Sequence, residues 1–278
     1  MADTATTPAS TRLAATVLLI RDGHDGLEVF MVVRHQEIDF ASGALVFPGG
    51  KLAVGDSDPR VRRRCTGAEG LSDDQLALRV GAIREAFEEC GVLLARAAGE
   101  TTPVSPARLE TLGPRYRQGL DRGDIGIADM LEAEDLILDC EGLVPFAHWI
   151  TPTFMAKRFD TYFYLAVAPP AQLAIHDGRE MVDSVWLRPA DAIAAEKSGA
   201  RTIVPATLLN IQKLGFSANV ADALDAARRE PIVTVLPTAE QRPDAMLLRI
   251  PESAGYGISE FLMPMPAAPT AAARPKGD

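Results

Sequence analysis

The sequence is poor in the residues on which several classes of protein depend. Among 278 residues there are only three cysteines, Cys65, Cys90 and Cys140, an odd and widely spaced set that argues against a disulfide framework and favours a reducing compartment. The four histidines share no spacing typical of zinc ligands, so we predict no zinc site. No segment reaches the run of about 18 apolar residues that a membrane-spanning helix needs. Residues 1–10 lack the basic start and apolar centre of a signal peptide.

Positive charge is also scarce relative to negative charge. The chain has 28 Lys and Arg residues against 38 Asp and Glu residues, a net charge of −10. This balance argues against general nucleic-acid binding, so an anionic substrate would depend on a metal ion and on local basic residues. Because 47% of the residues are hydrophobic, the chain can bury a large core, as one elaborated domain or two.

The clearest pattern is a cluster of three carboxylates, Glu85, Glu88 and Glu89. Offsets of 0, 3 and 4 place them on one face of a helix. Apolar residues of the same segment lie on the opposite face: Leu76, Val80, Ile83 and Phe87. Taken alone, such a cluster is typical of a solvated helix face. It also suits hard divalent cations such as Mg²⁺ or Mn²⁺, which prefer oxygen ligands.

The residues upstream favour the metal-site interpretation. Residues 47–51, Phe-Pro-Gly-Gly-Lys, follow an apolar run and predict a strand that ends in a tight glycine loop. Asp56 adds another carboxylate shortly afterwards. Residues 72–75, Ser-Asp-Asp-Gln, have the form of a capping box, which predicts a helix that begins near Asp73. Gly91 predicts its end.

This arrangement resembles the Nudix box, Gly-x5-Glu-x7-Arg-Glu-U-x-Glu-Glu-x-Gly-U, where U is a bulky apolar residue. The second half matches at residues 84–92, and the first half matches at Gly50, with Asp56 in place of the glutamate. Residues 57–83 number 27 where the pattern has seven, so the two halves are separated by an insertion that we place at about 58–71. By this resemblance the chain is identified as a member of the Nudix hydrolases.

The resemblance implies an α/β fold, the Nudix α/β/α sandwich with a mixed central sheet, an insertion inside the Nudix box and extra C-terminal helices. We expect the Nudix domain to span residues 11–236, with the helical addition at about 189–230. Residues 237–263 would form a C-terminal extension. Residues 1–10 and the Pro- and Ala-rich tail 264–278 are expected to be disordered.

Hydrophobic patterning predicts the individual elements. Strands are predicted at 13–20, 27–33, 143–150, 161–168 and 184–187. Helices are predicted as short pieces within 100–122, and then at 127–138, from 189 onward, at 202–214 and at 218–229.

A second stretch concerns the substrate. Coenzyme A diphosphatases carry a signature in which Arg precedes Gly-x3-Phe-Pro-Gly-Gly. Residues 43–50 match its end and Arg34 stands where the first Arg would be, whereas Asp39 stands where a second Arg is expected. The split box, the segment 152–161 and the helical C-terminus resemble the mammalian peroxisomal acyl-CoA diphosphatases. Residues 275–278, Pro-Lys-Gly-Asp, are not the peroxisomal signal Ser-Lys-Leu, so we expect a cytoplasmic location.

The resemblance also implies a metal site for Mg²⁺ or Mn²⁺. Glu88 and Glu89 are implied to be the main ligands, with help from the carbonyl group of Gly49. Glu85 is implied to be either a further ligand or the catalytic base. Bound metal ions would neutralise the charge of a pyrophosphate and activate a water molecule.

Other residues are implied to support this site. Arg84 would pair with a box carboxylate and hold its rotamer, because a planar guanidinium suits that role. Asp56 would be the outer partner. Many Nudix enzymes take a further acid from a loop outside the box, for which Glu180 is the first candidate and Asp183 the second. The alternative for both is a solvated turn.

Basic and aromatic residues supply candidate substrate contacts. Arg34, Lys51 and Arg158 are the candidates for contacts with phosphate, although each alone is also typical of a surface cation. Trp149 and Phe154 could stack on a base, with buried packing as the alternative.

Three functions remain open. The first is a metal-dependent diphosphatase for CoA or acyl-CoA, and the second is a Nudix diphosphatase for ADP-ribose or a dinucleotide. The third is a Nudix-fold sensor without catalysis, which would not need the acidic face. In each case the partner is a small nucleotide-type molecule rather than nucleic acid or a membrane, and a homodimer is left open.

Overall fold

The computed structural model describes residues 9–34, 43–170, 172 and 181–264. The strands are β1 (Thr11–Gly23), β2 (Gly26–Arg34), β3 (Leu45–Val46), β4 (Gly49–Lys51), β5 (Ala95–Ala97), β6 (Leu136–Leu138), β7 (Val144–Ile150), β8 (Arg158–Val167), β9 (Met181–Leu187), β10 (Thr234–Val235), β11 (Thr238–Gln241), β12 (Ala245–Arg249) and β13 (Glu260–Pro264). The helices are α1 (Asp73–Cys90), α2 (Pro106–Asp121), α3 (Ile127–Ala133), α4 (Pro189–Lys197), α5 (Pro205–Leu214) and α6 (Val220–Arg229). Short 3-10 helices lie at Val54–Ser57, Val61–Arg64 and Glu252–Ala254.

The centre of the molecule is a mixed sheet to which eight of the described strands belong. Its main path runs β10-β7-β8-β1-β2-β3, with β4 beside β1 and β9 beside β2. The β1–β8 and β10–β7 pairs are parallel and the other pairs are antiparallel. The long strand β1 therefore joins the glycine strand β4 to the middle of the sheet.

Helices cover both faces of this sheet. Along β1 the side chains alternate, so that Val17 and Leu19 pack in one core with α1 and α2. Leu18 and Ile20 pack in a second core with α5 and α6. The predicted α/β/α sandwich is confirmed, and the helices expected as a C-terminal addition form one of its two outer layers. None of the helices within the described ranges has both the length and the apolar character that crossing a membrane would require.

The box helix α1 begins and ends where the local pattern predicts. The Oγ of Ser72 accepts a hydrogen bond from the backbone N–H of Gln75 (3.2 Å), and Gln75 Oε1 accepts one from the backbone N–H of Ser72 (3.1 Å). Gly91 ends the helix in the left-handed conformation, with φ of 69°. These caps fix the residues at which α1 begins and ends.

Two predicted elements are wrong. Residues 100–122 contain one helix of 16 residues, α2, rather than short pieces, because Ser105 caps its start and Pro106 occupies the first turn. The helix predicted at 127–138 stops at Ala133. Asp135 then takes a left-handed φ of 48°, and the following residues form β6, paired with β5. A short apolar run such as that of β6 does not distinguish helix from strand by itself.

The C-terminal extension forms three of the described strands. Strands β11, β12 and β13 form a separate antiparallel sheet. The link between β12 and β13 carries Tyr256, whose hydroxyl donates to Asn210 Oδ1 (2.9 Å) and accepts from Trp149 Nε1 (2.6 Å). This buried chain of hydrogen bonds attaches the small sheet to both α5 and β7.

Phe87→Ala should lower the free energy of unfolding by about 3–5 kcal/mol, because the Phe87 side chain is fully buried between α1 and the central sheet. Chemical denaturation measures this change. Phe216→Ala is the matched control, since Phe216 is 67% exposed and its loss should cost little. Equal stability of the two variants would mean that the apolar face of α1 is assigned incorrectly.

Candidate active site

A cavity of about 840 Å³ lies beside the acidic face of α1. Arg84, Glu85, Glu88 and Glu89 form one part of its wall, together with the glycine strand β4. The rest of the wall is mainly apolar and comes from β7, β8, the start of α5 and the C-terminal sheet. The cavity thus combines convergent charged groups with a large apolar surface, which is typical of a small-molecule site.

Arg84 is the centre of a buried ionic network. Its Nε and Nη2 bind the two carboxylate oxygens of Asp56 at 2.8 and 3.0 Å. Its Nη1 binds Glu85 Oε1 (3.0 Å) and Glu88 Oε2 (2.9 Å), and Nη2 also donates to the carbonyl oxygen of Lys51 (2.9 Å). The Asp56 side chain is fully buried, and this aspartate makes a two-point contact despite having one methylene fewer than glutamate.

The space that Asp56 occupies depends on a glycine of α1. A Cβ atom at Gly81 would lie 3.0 Å from Asp56 Oδ2. Asp56 is held from the other side by its own 3-10 helix, where the backbone N–H of Ala53 donates to Oδ2 (2.8 Å). The short side chain reaches Arg84 because the backbone approaches α1 closely at this point.

Glu88 carries an incomplete set of partners. Burial raises the pKa of Glu88 to about 8, Arg84 opposes this rise and the charge of Glu85 adds to it. Its Oε1 atom is buried, and no group within the described ranges forms a hydrogen bond with it. A buried carboxylate in this state lacks sufficient positive charge, which either a proton or a cation would supply.

The glycine loop contacts the other two carboxylates. The backbone N–H of Gly49 donates to Glu89 Oε2 (2.9 Å). A Cβ atom at Gly50 would lie 2.6–2.7 Å from the carboxylate of Glu85, whereas one at Gly49 would lie 2.5 Å from the backbone oxygen of Ala15. A side chain at Gly50 would therefore meet the flexible end of Glu85, whereas one at Gly49 would meet the backbone of β1.

These contacts determine how the acidic groups are arranged. Within the part of the chain that the structure covers, no set of three His, Cys, Asp or Glu side chains lies close enough together to bind one metal ion. Glu85 and Glu88 instead turn toward Arg84, and Glu89 turns toward Gly49. The donor set nevertheless fits a hard divalent cation, because it consists of carboxylates and includes the unpartnered Glu88 Oε1.

The candidate phosphate contacts separate in the structure. Lys51 lines the cavity. Arg158 does not serve there, because its guanidinium donates to the carbonyl oxygens of Thr151 (3.1 Å) and Ala9 (2.7 Å) and is largely buried. Arg158 instead links the first residue of β8 to the backbone at Thr151 and Ala9. Arg34 ends β2, and its side chain lies outside the described part of the structure.

The two candidate aromatic residues both line the cavity. Trp149 is buried and holds Tyr256 at its indole nitrogen, with the two rings edge to face. Phe154 is 45% exposed. Trp149 therefore contributes a fixed surface, whereas much of the Phe154 ring is accessible.

Of the two candidate loop acids, only Asp183 lies within the described residues. Glu180 lies outside the described residues. Asp183 is exposed on β9, where its carboxylate accepts hydrogen bonds from the backbone N–H of Ser184 (2.9 Å) and from Arg201 (3.3 Å). It does not line the cavity, and its surroundings correspond to the solvated alternative.

The structure adds residues that the sequence pattern did not indicate. Asp121 and Arg122, at the end of α2, line the cavity, as does the buried Thr207 of α5. Arg117 of α2 donates to the carbonyl oxygen of Glu88 (3.0 Å from Nε and 2.7 Å from Nη2), which brings the two helices together. No local motif marks these positions, because they depend on how α2 packs against α1.

Gly50→Ala and Gly49→Ala should affect different properties. At Gly50 the new methyl group displaces the flexible end of Glu85, so turnover should fall about 10- to 100-fold with little loss of stability. At Gly49 it meets the backbone of β1, so the free energy of unfolding should fall by about 1–3 kcal/mol or more. Steady-state kinetics and denaturation of both variants test this. Full turnover in Gly50→Ala would show that the position of Glu85 is not critical.

Comparison with known proteins identifies the family. The model of the NUDT19 Nudix domain matches residues 57–214, more than half of the chain, a segment that contains Arg84 and the three glutamates but begins after Gly50 and Asp56. The chain is similar to proteins named acyl-coenzyme A diphosphatase NUDT19. One, from Xenopus laevis, is 23% identical over 225 residues, which are 67% of this chain and 59% of the relative. Another, from Homo sapiens, is 24% identical over 238 residues, 71% and 63% of the two chains.

A solved structure agrees with this result. The crystal structure of a NUDIX hydrolase from Alicyclobacillus acidocaldarius is 29% identical, with a TM-score of 0.67, and the match covers 78% of this chain and 96% of that one. The chain spans only 59% and 63% of the length of the two curated relatives above. The matched segment, the sandwich fold and the acidic helix together show that the chain belongs to the NUDT19 Nudix domain family.

Proposed function

We propose that this chain hydrolyses the pyrophosphate bond of CoA or acyl-CoA and releases 3′,5′-ADP and phosphopantetheine or its acyl derivative. The observation that carries the proposal is the single cavity in which Glu85, Glu88 and Glu89 share a wall with a large apolar surface. A pyrophosphate requires the charged part, and an acylated pantetheine arm suits the apolar part. The names of the two curated relatives support this choice of substrate.

The acidic part of the cavity is proposed to hold Mg²⁺ or Mn²⁺. Glu88 and Glu89 would be its main protein ligands, and Gly49 would position Glu89 through its N–H group. A divalent cation bound there supplies positive charge against the pyrophosphate and lowers the pKa of a bound water molecule. That the bound metal is Mg²⁺ or Mn²⁺ stays a prediction from the sequence.

The chain's own residues would position the reacting groups. Arg84 holds Glu85 and Glu88 through one nitrogen, while Asp56 fixes the guanidinium from behind. In the reaction, water adds to one phosphorus atom, the bridging P–O bond breaks and the leaving phosphate carries away the bonding electron pair. Glu85 is the candidate for accepting the proton of that water.

Lys51 and Arg122 are proposed to bind the phosphate groups. Both line the cavity, and Arg122 forms a surface ion pair with Asp124 through its Nε atom (3.0 Å). Arg122 takes the place that the sequence pattern gave to Arg158. A cytoplasmic location stays a prediction from the sequence, and a homodimer stays open.

Product analysis tests the proposed function. The full-length chain is incubated with Mg²⁺ or Mn²⁺ and with CoA, acyl-CoA, ADP-ribose, NADH and diadenosine polyphosphates in turn. Release of 3′,5′-ADP from CoA species, lost in Glu88→Gln, supports the proposal.

Two other results would contradict it. Turnover confined to ADP-ribose or dinucleotides would keep a Nudix diphosphatase but remove CoA as its substrate. Tight binding of one compound without turnover of any would indicate a ligand sensor.

A further inference from the structure

The C-terminal sheet, β11–β13, forms part of the wall of the active-site cavity. Leu248 of β12 and both Phe261 and Met263 of β13 line the same cavity as the three glutamates. The sheet shares no strand with the central sheet, so the position of this wall depends on side-chain contacts.

The two faces of this sheet have different surroundings. Leu248 stands opposite Phe261 in the register, and Met263 follows Phe261 by two residues, so the three side chains lie on one face. Phe261 and Met263 are only partly buried on that face. Leu262 lies between them on the other face and is 65% exposed. Adjacent residues of β13 therefore provide a cavity position and a matched position outside it.

The sheet is held against the core at a fixed place. Tyr256 joins Trp149, itself a cavity residue, to Asn210 of α5 through two buried hydrogen bonds. Lys213 of α5 also donates to the carbonyl oxygen of Ala254 (3.1 Å). These contacts connect the C-terminal segment to α5 and to Trp149 in the cavity wall. The apolar side chains of the segment therefore present a defined surface to a ligand.

The chemistry of this surface limits what it can recognise. Leu248 and Phe261 have no hydrogen-bonding side-chain group, and Met263 has only a weakly accepting sulfur, so the three residues offer no donor to a phosphate or a ribose. Partly exposed apolar side chains in one cavity favour an apolar ligand group. Methionine suits a group of variable length, because its side chain is flexible and polarisable.

We propose that this face of the C-terminal sheet binds the hydrocarbon chain of an acyl-CoA and thereby sets the preference for acyl-chain length. The inference rests on the proposed function, because it assumes that CoA thioesters are hydrolysed. It assigns the selection of the substrate to residues 245–264, which lie beyond the segment matched by the family model.

The test compares substitutions at two adjacent residues. The kcat/KM of the full-length chain is measured for free CoA and for CoA esters of short, medium and long saturated chains, below their micelle concentrations. Met263→Trp reduces the space in the cavity beside the C-terminal sheet, and Met263→Ala increases that space. Leu262→Trp and Leu262→Ala make the same substitutions at the neighbouring residue, which is exposed and does not line the cavity. Thermal unfolding of each variant verifies that it is folded.

The expected result is a change in chain-length preference. Met263→Trp should lower the ratio of long-chain to free-CoA kcat/KM at least about tenfold, since small changes in an apolar pocket alter discrimination by this factor or more. Met263→Ala should shift the optimum toward longer chains. Both Leu262 variants should keep the ratio of the unsubstituted chain. If Met263→Trp is unfolded, the shift in Met263→Ala decides the result.

Other outcomes would overturn the inference. An unchanged ratio in both Met263 variants would remove the C-terminal sheet from chain selection while leaving CoA hydrolysis intact. An equal loss for free CoA and long-chain esters would place the wall against the part that all substrates share. Absence of turnover for every CoA compound in the unsubstituted chain would instead remove the proposed function, and this inference with it.

Discussion

Glu88→Gln is expected to lower turnover by at least about 10²–10³-fold, the usual effect of removing one preorganised polar group from an active site. The loss should be large because Glu88 lines the cavity and its buried Oε1 atom has no hydrogen-bond partner within the described residues. Glutamine keeps the shape of the side chain and its oxygen can still accept the hydrogen bond from Arg84. The variant should therefore fold normally, so the loss concerns chemistry rather than structure.

Kinetics with the preferred substrate and Mg²⁺ or Mn²⁺ measures this effect. Glu69→Gln is a suitable control, because it makes the same change at an exposed residue of the insertion and should leave turnover unaltered. Titration of Mn²⁺ into both variants gives a second measurement, in which only Glu88→Gln should bind the ion more weakly. Near-normal turnover of Glu88→Gln would exclude Glu88 from the catalytic site.

Arg84→Met should lower the free energy of unfolding by about 3–5 kcal/mol, because it leaves buried carboxylates without their positive partner. Arg84 contacts Asp56, whose side chain is fully buried, as well as Glu85 and Glu88. Turnover should also fall, because Glu85 and Glu88 lose the group that positions them. Denaturation with urea and steady-state kinetics measure the two effects.

A double-mutant cycle with Asp56→Asn separates the pair from its surroundings. The two substitutions should not be additive, with a coupling energy of about 1–3 kcal/mol, since they remove one shared interaction. Arg79→Met provides a control on the same helix, where the arginine is partly exposed over Tyr164 and should contribute about 1 kcal/mol or less. Additive effects of Arg84→Met and Asp56→Asn would mean that the ion pair contributes little.

The features predicted correctly from the sequence are those that depend on neighbouring residues. The start of α1 at Asp73 follows from the hydrogen bonds between Ser72 and Gln75, and its end follows from Gly91. The same local rules give the spacing of the three glutamates and the alternation of buried residues along β1. They fail at residues 134–138, where pairing with β5 turns an apolar run into β6.

The active site required the tertiary structure. Asp56 and Arg84 are 28 residues apart in sequence, and their contact depends on the close approach of the 3-10 helix Val54–Ser57 to α1. Arg158 was predicted to bind phosphate, but backbone carbonyls bind its guanidinium. A residue type indicates which interactions a side chain can form, whereas the packing of distant elements decides which partner it meets.

The sequence by itself therefore determined the acidic helix and the family resemblance, through spacing and capping over a few residues, and that resemblance implied the sandwich fold. Only the tertiary structure decided that the carboxylates share a cavity with an apolar wall and that the C-terminal sheet contributes to that wall. The physical reason is the range of the forces involved. Helix caps and the alternation of side chains along a strand depend on residues a few positions apart. A cavity is the space that remains when elements far apart in the chain bury their apolar faces.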